Sequence, residues 1–334
     1  MRALVTIQRV KAVRAIAGSD FLETALIMGW ECVIKKGEFK EGDRGVYFEV
    51  DSFLPVEPRY EFLRHSSYRE SAYNGKGFRI RTVKLRGQLS QGLLVPLSFY
   101  PELEGCAEGE DVTERLGVKK WSIPETAGTG GTIIGDRPYG LPPSEEIRIQ
   151  SALELLDELR GKPYSITTKM DGTSCMVYFI DGKIGCCSRN KEIKDEESAL
   201  YWTPVYKYGL REKFARYGKS LVLTGELCGP GIQRNRLRLS ALEWYVFDVR
   251  DWDAGVYVPY DQAAAICASL AVPVVPLEER GMSFSYTLEA LLEKAKGKYP
   301  SGLDKEGIVV RDLNAPKAVS FKVLNNDALL KEAD

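Results

Sequence analysis

Histidine is almost missing from this 334-residue chain. With His65 alone, neither a histidine-based zinc site nor a two-histidine mechanism can be built, since both need several imidazoles converging on one point. Within HSSYRE, His65 reads as a surface or loop residue. No run of about 18 apolar residues, the length that crosses a bilayer, occurs anywhere. The opening MRALVTIQRVKAVRAIAG is broken by charge too often for a secretory signal, so a cytoplasmic protein without membrane attachment is expected. The seven cysteines contain no CxxC pair and are odd in number, which argues against a disulfide framework and predicts reduced, mostly buried thiols. Charge of one sign is also lacking: 46 basic against 47 acidic residues leave a net charge of −1. That excludes a protein coating nucleic acid by bulk charge, and any basic surface must be local.

What is present is ordinary globular composition, 44% hydrophobic and 28% charged, in a chain long enough for two domains with separate cores. Residues 1–110 alternate in short apolar stretches, ALVTIQRVKAV, WECVIKKG, GVYFEV, FRIRTVKL and GLLVPL, divided by turn residues. The pattern predicts a small closed β-domain, an OB-like barrel by length and strand count, although an SH3-like barrel fits the alternation nearly as well. GEFKEGDRG reads as the turn of a hairpin whose second strand is GVYFEV. Residues 111–143 lose both periods and end in ETAGTGGTIIGDRPYGLPPS, a linker composition. From 144 onward strands and helices mix. SEEIRIQSALELLDELRGK predicts an amphipathic helix through Ile149, Leu153 and Leu156, stopping at Gly161. Strands are expected in ITTKMDGTSCMVYFI, KIGCCS, SLVLTGEL, EWYVFDVRD, EGIVVRD and AVSFKVL, with a hairpin turn at Asp181–Gly182. Helices are expected within 196–217, 260–270 and 287–296, the last capped by Thr287 and stopped by Gly297.

One lysine and one aspartate stand out in KMDGTS, Lys169 to Ser174, inside a strand-like run. Alone, this is an edge strand turning at Asp171–Gly172. It has company in a fixed order: SRN at Ser188–Asn190, LTGELCG around Glu226, EWYVFDV around Phe247, KEGIVVR around Glu306 and SFKV around Lys322. These six elements, spanning Lys169 to Lys322, resemble motifs I, Ia, III, IIIa, IV and V of the covalent nucleotidyltransferase superfamily of ATP-dependent ligases and capping enzymes. The implied fold is α+β, an N-terminal OB-like barrel plus a nucleotidyltransferase domain (144–334) of antiparallel sheets flanked by helices.

The chemistry can be stated independently of the family. A lysine amine attacks phosphorus only when deprotonated, so its ordinary pKa of about 10.4 must be lowered by desolvation or by cations. The apolar strand around Lys169 predicts such a lowering. Charge then builds on the α-phosphate and on departing pyrophosphate, which calls for a divalent cation and for cationic side chains. Asp171, Glu306 and Glu226 can supply oxygen ligands through water to Mg²⁺ or Mn²⁺, and Lys322 is the natural α-phosphate cation. The resemblance further implies that Glu226 contacts the ribose of ATP, Phe247 stacks on adenine, Ile308 lines its other face and Arg189 binds phosphate or sugar, with Thr168 and Gly172 beside the nucleotide. Taken singly, Phe247 would be core packing. Arg234, Arg236 and Arg238 alternate after motif III and read as one face of a strand able to bind triphosphate or a nucleic-acid backbone, against a solvated face as the plainer account. Arg79, Arg81, Lys84 and Arg86 form a similar stripe in the first domain. Where related RNA ligases often carry KxK in motif V, this chain has Ser320 before Lys322.

DNA ligases and capping guanylyltransferases usually append an OB domain after motif V, whereas only residues 323–334 follow Lys322 here. An N-terminal barrel is similar instead to RNA ligases of the Naegleria and Deinococcus type, as are the phrases GDRGVYFEVDSFLP and FRIRTVKLRGQLSQGLLVPL. The implied reaction has three displacements: Lys169 takes AMP from ATP, AMP passes to a 5′-phosphate, and a 3′-hydroxyl expels it. A monomer acting on RNA or a nicked RNA/DNA duplex is expected. The competing readings are a GTP-dependent capping-type transferase and a non-catalytic nucleic-acid clamp.

Overall fold

The computed structural model describes residues 3–122 and 130–333. They fall into two compact units, one of Met1–Pro124, Gln150–Leu153 and Leu329–Asp334, the other of Glu125–Ile149 and Glu154–Ala328. No helix among the described residues is long and apolar enough to cross a membrane. All seven cysteines are buried, and His65 is exposed in the short helix α1 (Arg64–Ser67).

The strands of the first unit are β1 (Val5–Ala15), β2 (Leu22–Ile27), β3 (Trp30–Lys35), β4 (Arg44–Phe48), β5 (Ser52–Leu54), β6 (Tyr68–Ser71), β7 (Gly75–Arg79), β8 (Thr82–Leu85), β9 (Gln88–Gln91), β10 (Leu93–Pro96) and β11 (Lys119–Lys120). A five-stranded sheet runs β10-β4-β1-β2-β3 and a four-stranded one β11-β5-β7-β6, while β8 and β9 form a separate hairpin. The expected β3–β4 hairpin does not form. The long β1 takes β4 against Val5–Arg9 and β2 against Val10–Ala15, bending at an irregularity between Val10 and Ala12. Such an irregularity increases local twist and lets one strand serve two neighbours around a curved sheet. The turn residues Gly42 and Asp43 bond to the backbone of Val10 instead of closing a hairpin. The core holds Ile7, Val46, Phe48, Tyr60, Phe78 and Tyr100, joined by Val112, Leu116 and Val118.

The stretch 111–143 expected as a linker is therefore structured at both ends. Thr113 accepts from the Leu4 and Val5 amides on one side, and Ile133–Asp136 is a strand on the other. Residues 123–129 of that stretch lie outside the described residues.

In the second unit the strands are β12 (Ile133–Asp136), β13 (Ile147–Arg148), β14 (Tyr164–Lys169), β15 (Thr173–Ile180), β16 (Lys183–Cys187), β17 (Lys191–Ile193), β18 (Leu221–Cys228), β19 (Glu243–Asp251), β20 (Val256–Tyr257), β21 (Leu277–Gly281), β22 (Gly307–Asp312) and β23 (Ser320–Leu324). They build a seven-stranded sheet, β12-β17-β16-β15-β18-β19-β20, and a five-stranded sheet, β13-β23-β22-β14-β21. Lys169 ends β14 in one sheet and Thr173 opens β15 in the other, so the KMDG segment is the crossing between them. The Asp181–Gly182 turn forms as expected, with φ of 49° and 75° and Ile180 paired to Lys183. The helices are α2 (Glu154–Leu159), α3 (Thr203–Tyr208), α4 (Leu210–Tyr217), α5 (Tyr260–Ser269) and α6 (Leu288–Ala295). Thr287 caps α6 by accepting from the Ala290 amide. The helix expected from 144 is only α2, because Ile147 and Arg148 are drawn into parallel pairing with β23. Val205, Leu210 and Phe214 pack with Val177, Leu223 and Trp244 into the main core of this unit.

Candidate active site

Strand parity decides what can meet in the cleft. Paired residues of an antiparallel sheet face the same side, and alternate residues of one strand share a face. Thr167 pairs with Val309, which pairs with Lys322, and Lys169 pairs with Gly307 one step along. Ser165, Thr167, Lys169, Val309 and Lys322 therefore share one face. The Thr167–Lys322 rung spans two strand spacings, about 10 Å, and Lys169 stands about 7 Å further along, so two long lysine stems can approach one phosphate.

The Lys169 ammonium contacts Glu306 Oε1 at 2.8 Å. Burial presses the pKa of Lys169 down, but Glu306, Glu226 and Asp171 together press harder, and it rises above the ordinary lysine value. This corrects the expectation that the apolar strand alone would depress it: desolvation operates, and the surrounding carboxylates outweigh it. Glu226, on β18, is pushed up to about 7, first by burial and then by Glu306 and Asp171, with Lys169 and Arg189 pulling the other way. Asp171 is likewise raised by burial and by Glu306, against the pull of Arg236 and Lys169. Arg236 Nε stands 3.6 Å from Asp171 Oδ2, and both side chains are about one-tenth exposed.

Among the described residues, no three of His, Cys, Asp and Glu stand close enough to ligate a metal ion directly. Yet three carboxylates face one lysine, and their mutual repulsion is visible in the raised Asp171 and Glu226. Such an anionic cluster fits a hydrated divalent cation held through its waters, the form Mg²⁺ prefers.

Further along the same face, Ser165, Thr167, Phe247, Asp248 and Arg311 line one cavity. Arg311 is buried and joins the two sheets. It donates to the Phe247 carbonyl and to Ser320 Oγ, pairs with Glu146 and Asp248 at 2.9 Å each, and its guanidinium carbon lies 5.9 Å from the centre of the Phe247 ring. Lys317 completes the group, 2.6 Å from Glu146 and 2.8 Å from Asp248. Ser320, at the position where the resemblance led to the expectation of a lysine, is thus engaged in holding Arg311.

Several sequence expectations change. Ile308 is fully buried on the far face of β22, paired with Thr168 and Val323, and the half-buried Val309 takes the place facing the cleft. Thr168 also faces away, donating its hydroxyl to Glu278. Residues 229–240 are a turn-rich loop instead of a strand, with positive φ at Gln233, Asn235 and Arg238, so the arginines share no strand face. Arg236 is buried while Arg234 and Arg238 are exposed. Arg79 is paired with Asp51 at 3.0 Å and lies over Trp121, whereas Lys84 and Arg86 belong to the separate β8–β9 hairpin, so these residues do not form one stripe. Arg189 is half exposed, 3.3 Å from Glu145.

Arg311 and Glu146 were not singled out from the sequence. Parity could have flagged Arg311, which lies two residues beyond Val309 on the cleft side. No local signal marks Glu146.

Gly172 is required by a close approach. A Cβ there would collide with the Leu227 carbonyl oxygen and meet both Glu226 Cγ and Cys228 Sγ at 2.9 Å. Gly172→Ala must therefore push β18 and Glu226 aside, and is expected to lower kcat/KM for ATP by roughly tenfold to a hundredfold, the scale of a 1 Å misplacement. An unchanged kcat/KM would show that the crossing is more tolerant than this packing implies.

Comparison with known proteins bears on the fold and the family. An OB-fold domain family matches residues 4–97, and the RNA ligase family matches residues 162–324. No curated protein matches the chain. Among solved structures, a mutant Naegleria gruberi RNA ligase with ATP and Mn is 34% identical with a TM-score of 0.93, over 99% of this chain and 100% of that one. The Naegleria gruberi enzyme with PPi is 34% identical with a TM-score of 0.92, over 99% of each chain. A mutant of it with AMP and Mn is 35% identical with a TM-score of 0.93, again over 99% of each.

Proposed function

The chain belongs to the RNA ligase family and is an ATP-dependent RNA ligase, and from that premise we propose that Lys169 takes up AMP and that the ends joined lie at a nick. The observation that carries the reading is the Lys169–Glu306 contact of 2.8 Å, with Asp171 and Glu226 beside it, at the crossing between two sheets.

In the first step the neutral Lys169 amine forms a bond to the α-phosphorus of ATP while the bond to pyrophosphate breaks in line. The amine must shed a proton, and Glu306 is the group in contact to receive it. A divalent cation, Mg²⁺ or Mn²⁺, held through water by Asp171, Glu226 and Glu306 would neutralise phosphate charge and offset the carboxylates that raise the pKa of Lys169. Lys322, on the same face, supplies positive charge to the α-phosphate. Phe247 stacks on adenine with Val309 opposite, Glu226 meets the ribose, and Arg189 reaches the phosphates or sugar. AMP then passes to a 5′-phosphate, and a 3′-hydroxyl attacks that activated phosphorus and expels AMP. With a single histidine in the chain, positioning and charge neutralisation do what acid–base groups do elsewhere.

Support on the substrate side comes from exposed cations, Arg234 and Arg238 after β18 and Lys84 and Arg86 in the barrel unit, which suit phosphate backbones. We assign a nicked duplex with an RNA 3′-hydroxyl, a monomeric enzyme and a cytoplasmic location. Sealing on a panel of nicked duplexes with RNA or DNA on each side of the break tests this. The expected pattern is sealing of RNA 3′-hydroxyl nicks at least about tenfold faster than DNA 3′-hydroxyl nicks or free single-stranded ends. Equal rates on free ends would overturn the nick assignment.

A further inference from the structure

The β14–β22 ladder ends at the pair Lys169–Gly307. Beyond it the two chains part, one crossing at Met170–Gly172 to the other sheet and the other running back through Glu306 into a loop. The Lys169 carbonyl and the Glu306 amide therefore lie where the ladder can no longer pair them, and buried backbone groups left so are costly. Tyr299 fills the gap. Its hydroxyl donates to the Lys169 carbonyl at 2.6 Å and accepts from the Glu306 amide at 3.1 Å. A hydroxyl has one hydrogen to give and lone pairs to receive, so this single group satisfies both orphaned partners.

Tyr299 is only 4% exposed, and its loop is closed on itself. The Lys305 amide donates to Gly297 at 2.9 Å, the Tyr299 amide to Leu303 at 2.8 Å, and the Gly302 amide to Tyr299 at 2.9 Å. From the same loop Ser301 donates its hydroxyl to the Arg236 carbonyl, and the Arg236 side chain faces Asp171. One short loop thus touches the backbone of Lys169, the backbone of Glu306 and the segment that carries the partner of Asp171.

We infer that Tyr299 is a positioning residue for lysine adenylylation: its hydroxyl extends the ladder by one bridge and so fixes the directions in which Lys169 and Glu306 leave it. The inference rests on Lys169 being the nucleophile. Tyr299→Phe removes one oxygen while keeping the ring that fills the site.

The test is single-turnover transfer of labelled AMP from ATP, with Mn²⁺, onto the full-length protein. The expected result for Tyr299→Phe is a transfer rate at saturating ATP lower by roughly thirtyfold, within the range a misplacement of about 1 Å produces, with KM for ATP within about twofold of wild type. Thermal melting reports whether the variant is folded. The double variant Tyr299→Phe/Glu306→Gln is expected to lose clearly less than the product of the two single losses, since part of what Tyr299 does is align that carboxylate with the amine. A merely structural tyrosine would instead add its loss to that of Glu306→Gln, and this outcome overturns the inference. So does a wild-type transfer rate in Tyr299→Phe. Failure of the underlying reading has a different signature: Lys169→Ala would still become labelled, whatever Tyr299→Phe does.

Discussion

Lys169→Ala is expected to abolish covalent labelling by α-labelled ATP, a fall of at least ~10⁴, the scale on which removal of a covalent nucleophile acts. Lys169→Arg should fail equally, because a guanidinium keeps its proton and cannot attack. Both variants should still join a nick whose 5′ end already carries AMP, since that displacement uses the 3′-hydroxyl and not the lysine. The pair of results separates loss of the nucleophile from loss of the fold. The pH dependence has a defined sign. The pKa of Lys169 is raised by Glu306, Glu226 and Asp171 beyond what burial takes away, so the reactive neutral amine becomes more abundant as pH rises. Adenylylation should climb from neutral into alkaline pH, and added Mn²⁺, by offsetting those carboxylates, should move the curve to lower pH. A rate that falls over the same interval would contradict the charge balance described for the cleft.

The second large effect is on stability. Arg311→Met removes a buried guanidinium that pairs with Glu146 and Asp248 at 2.9 Å each, leaving two buried carboxylates with Lys317 as their remaining cation. Stripping one partner from a buried ion group costs about 3–5 kcal/mol, chiefly through the uncompensated charge left behind. In a unit of this size that corresponds to a melting temperature lower by roughly 10 °C. Removing charge on both sides should hurt less, so Arg311→Met/Glu146→Gln is expected to melt above the single variant. Acid should act in the same direction. Burial pushes the Glu146 carboxyl up, but Arg311 and Lys317 hold it below the ordinary carboxylate range. Its contribution is complete above the ordinary carboxylate pKa and drains away as pH falls through the lowered one. Because Arg311 also holds the Phe247 carbonyl and underlies its ring, the single variant should bind ATP more weakly as well. A melting temperature within a degree of wild type would show that the quartet contributes little.

The parts of the site legible in the sequence are those whose information lies in order along the chain. Lys169, Asp171, Glu226, Phe247, Glu306 and Lys322 stand in recognisable phrases, and the structure brings Lys169, Asp171, Glu226 and Glu306 into one electrostatic cluster. What the sequence hid depends on pairing across strands. EGIVVR points to Ile308 by resemblance, and only the register with Thr167 and Lys322 shows that its neighbour Val309 faces the cleft instead. The alternating arginines at 234–238 imitate a strand, but left-handed backbone at Gln233, Asn235 and Arg238 coils the segment and buries Arg236 against Asp171. In the barrel unit GEFKEGDRG has hairpin chemistry, yet the long, bent β1 captures β4 and leaves β3 at the other edge of the sheet. Ile147 and Arg148 carry the start of a helical pattern and are taken by β23, a long-range pairing that no local periodicity announces. Tyr299 is hidden for the same reason, since its meaning lies in a backbone gap that exists only once β14 and β22 have separated.

The most direct measurement is mass spectrometry of a proteolytic digest of the enzyme after brief incubation with ATP and Mn²⁺, under neutral conditions that preserve a phosphorus–nitrogen bond. One adenylate is expected on the peptide containing Lys169, and none after pyrophosphate is added to drive the step backwards. Adenylate found on any other lysine, or protein that joins ends without ever carrying it, would contradict the assignment of Lys169 as the nucleophile.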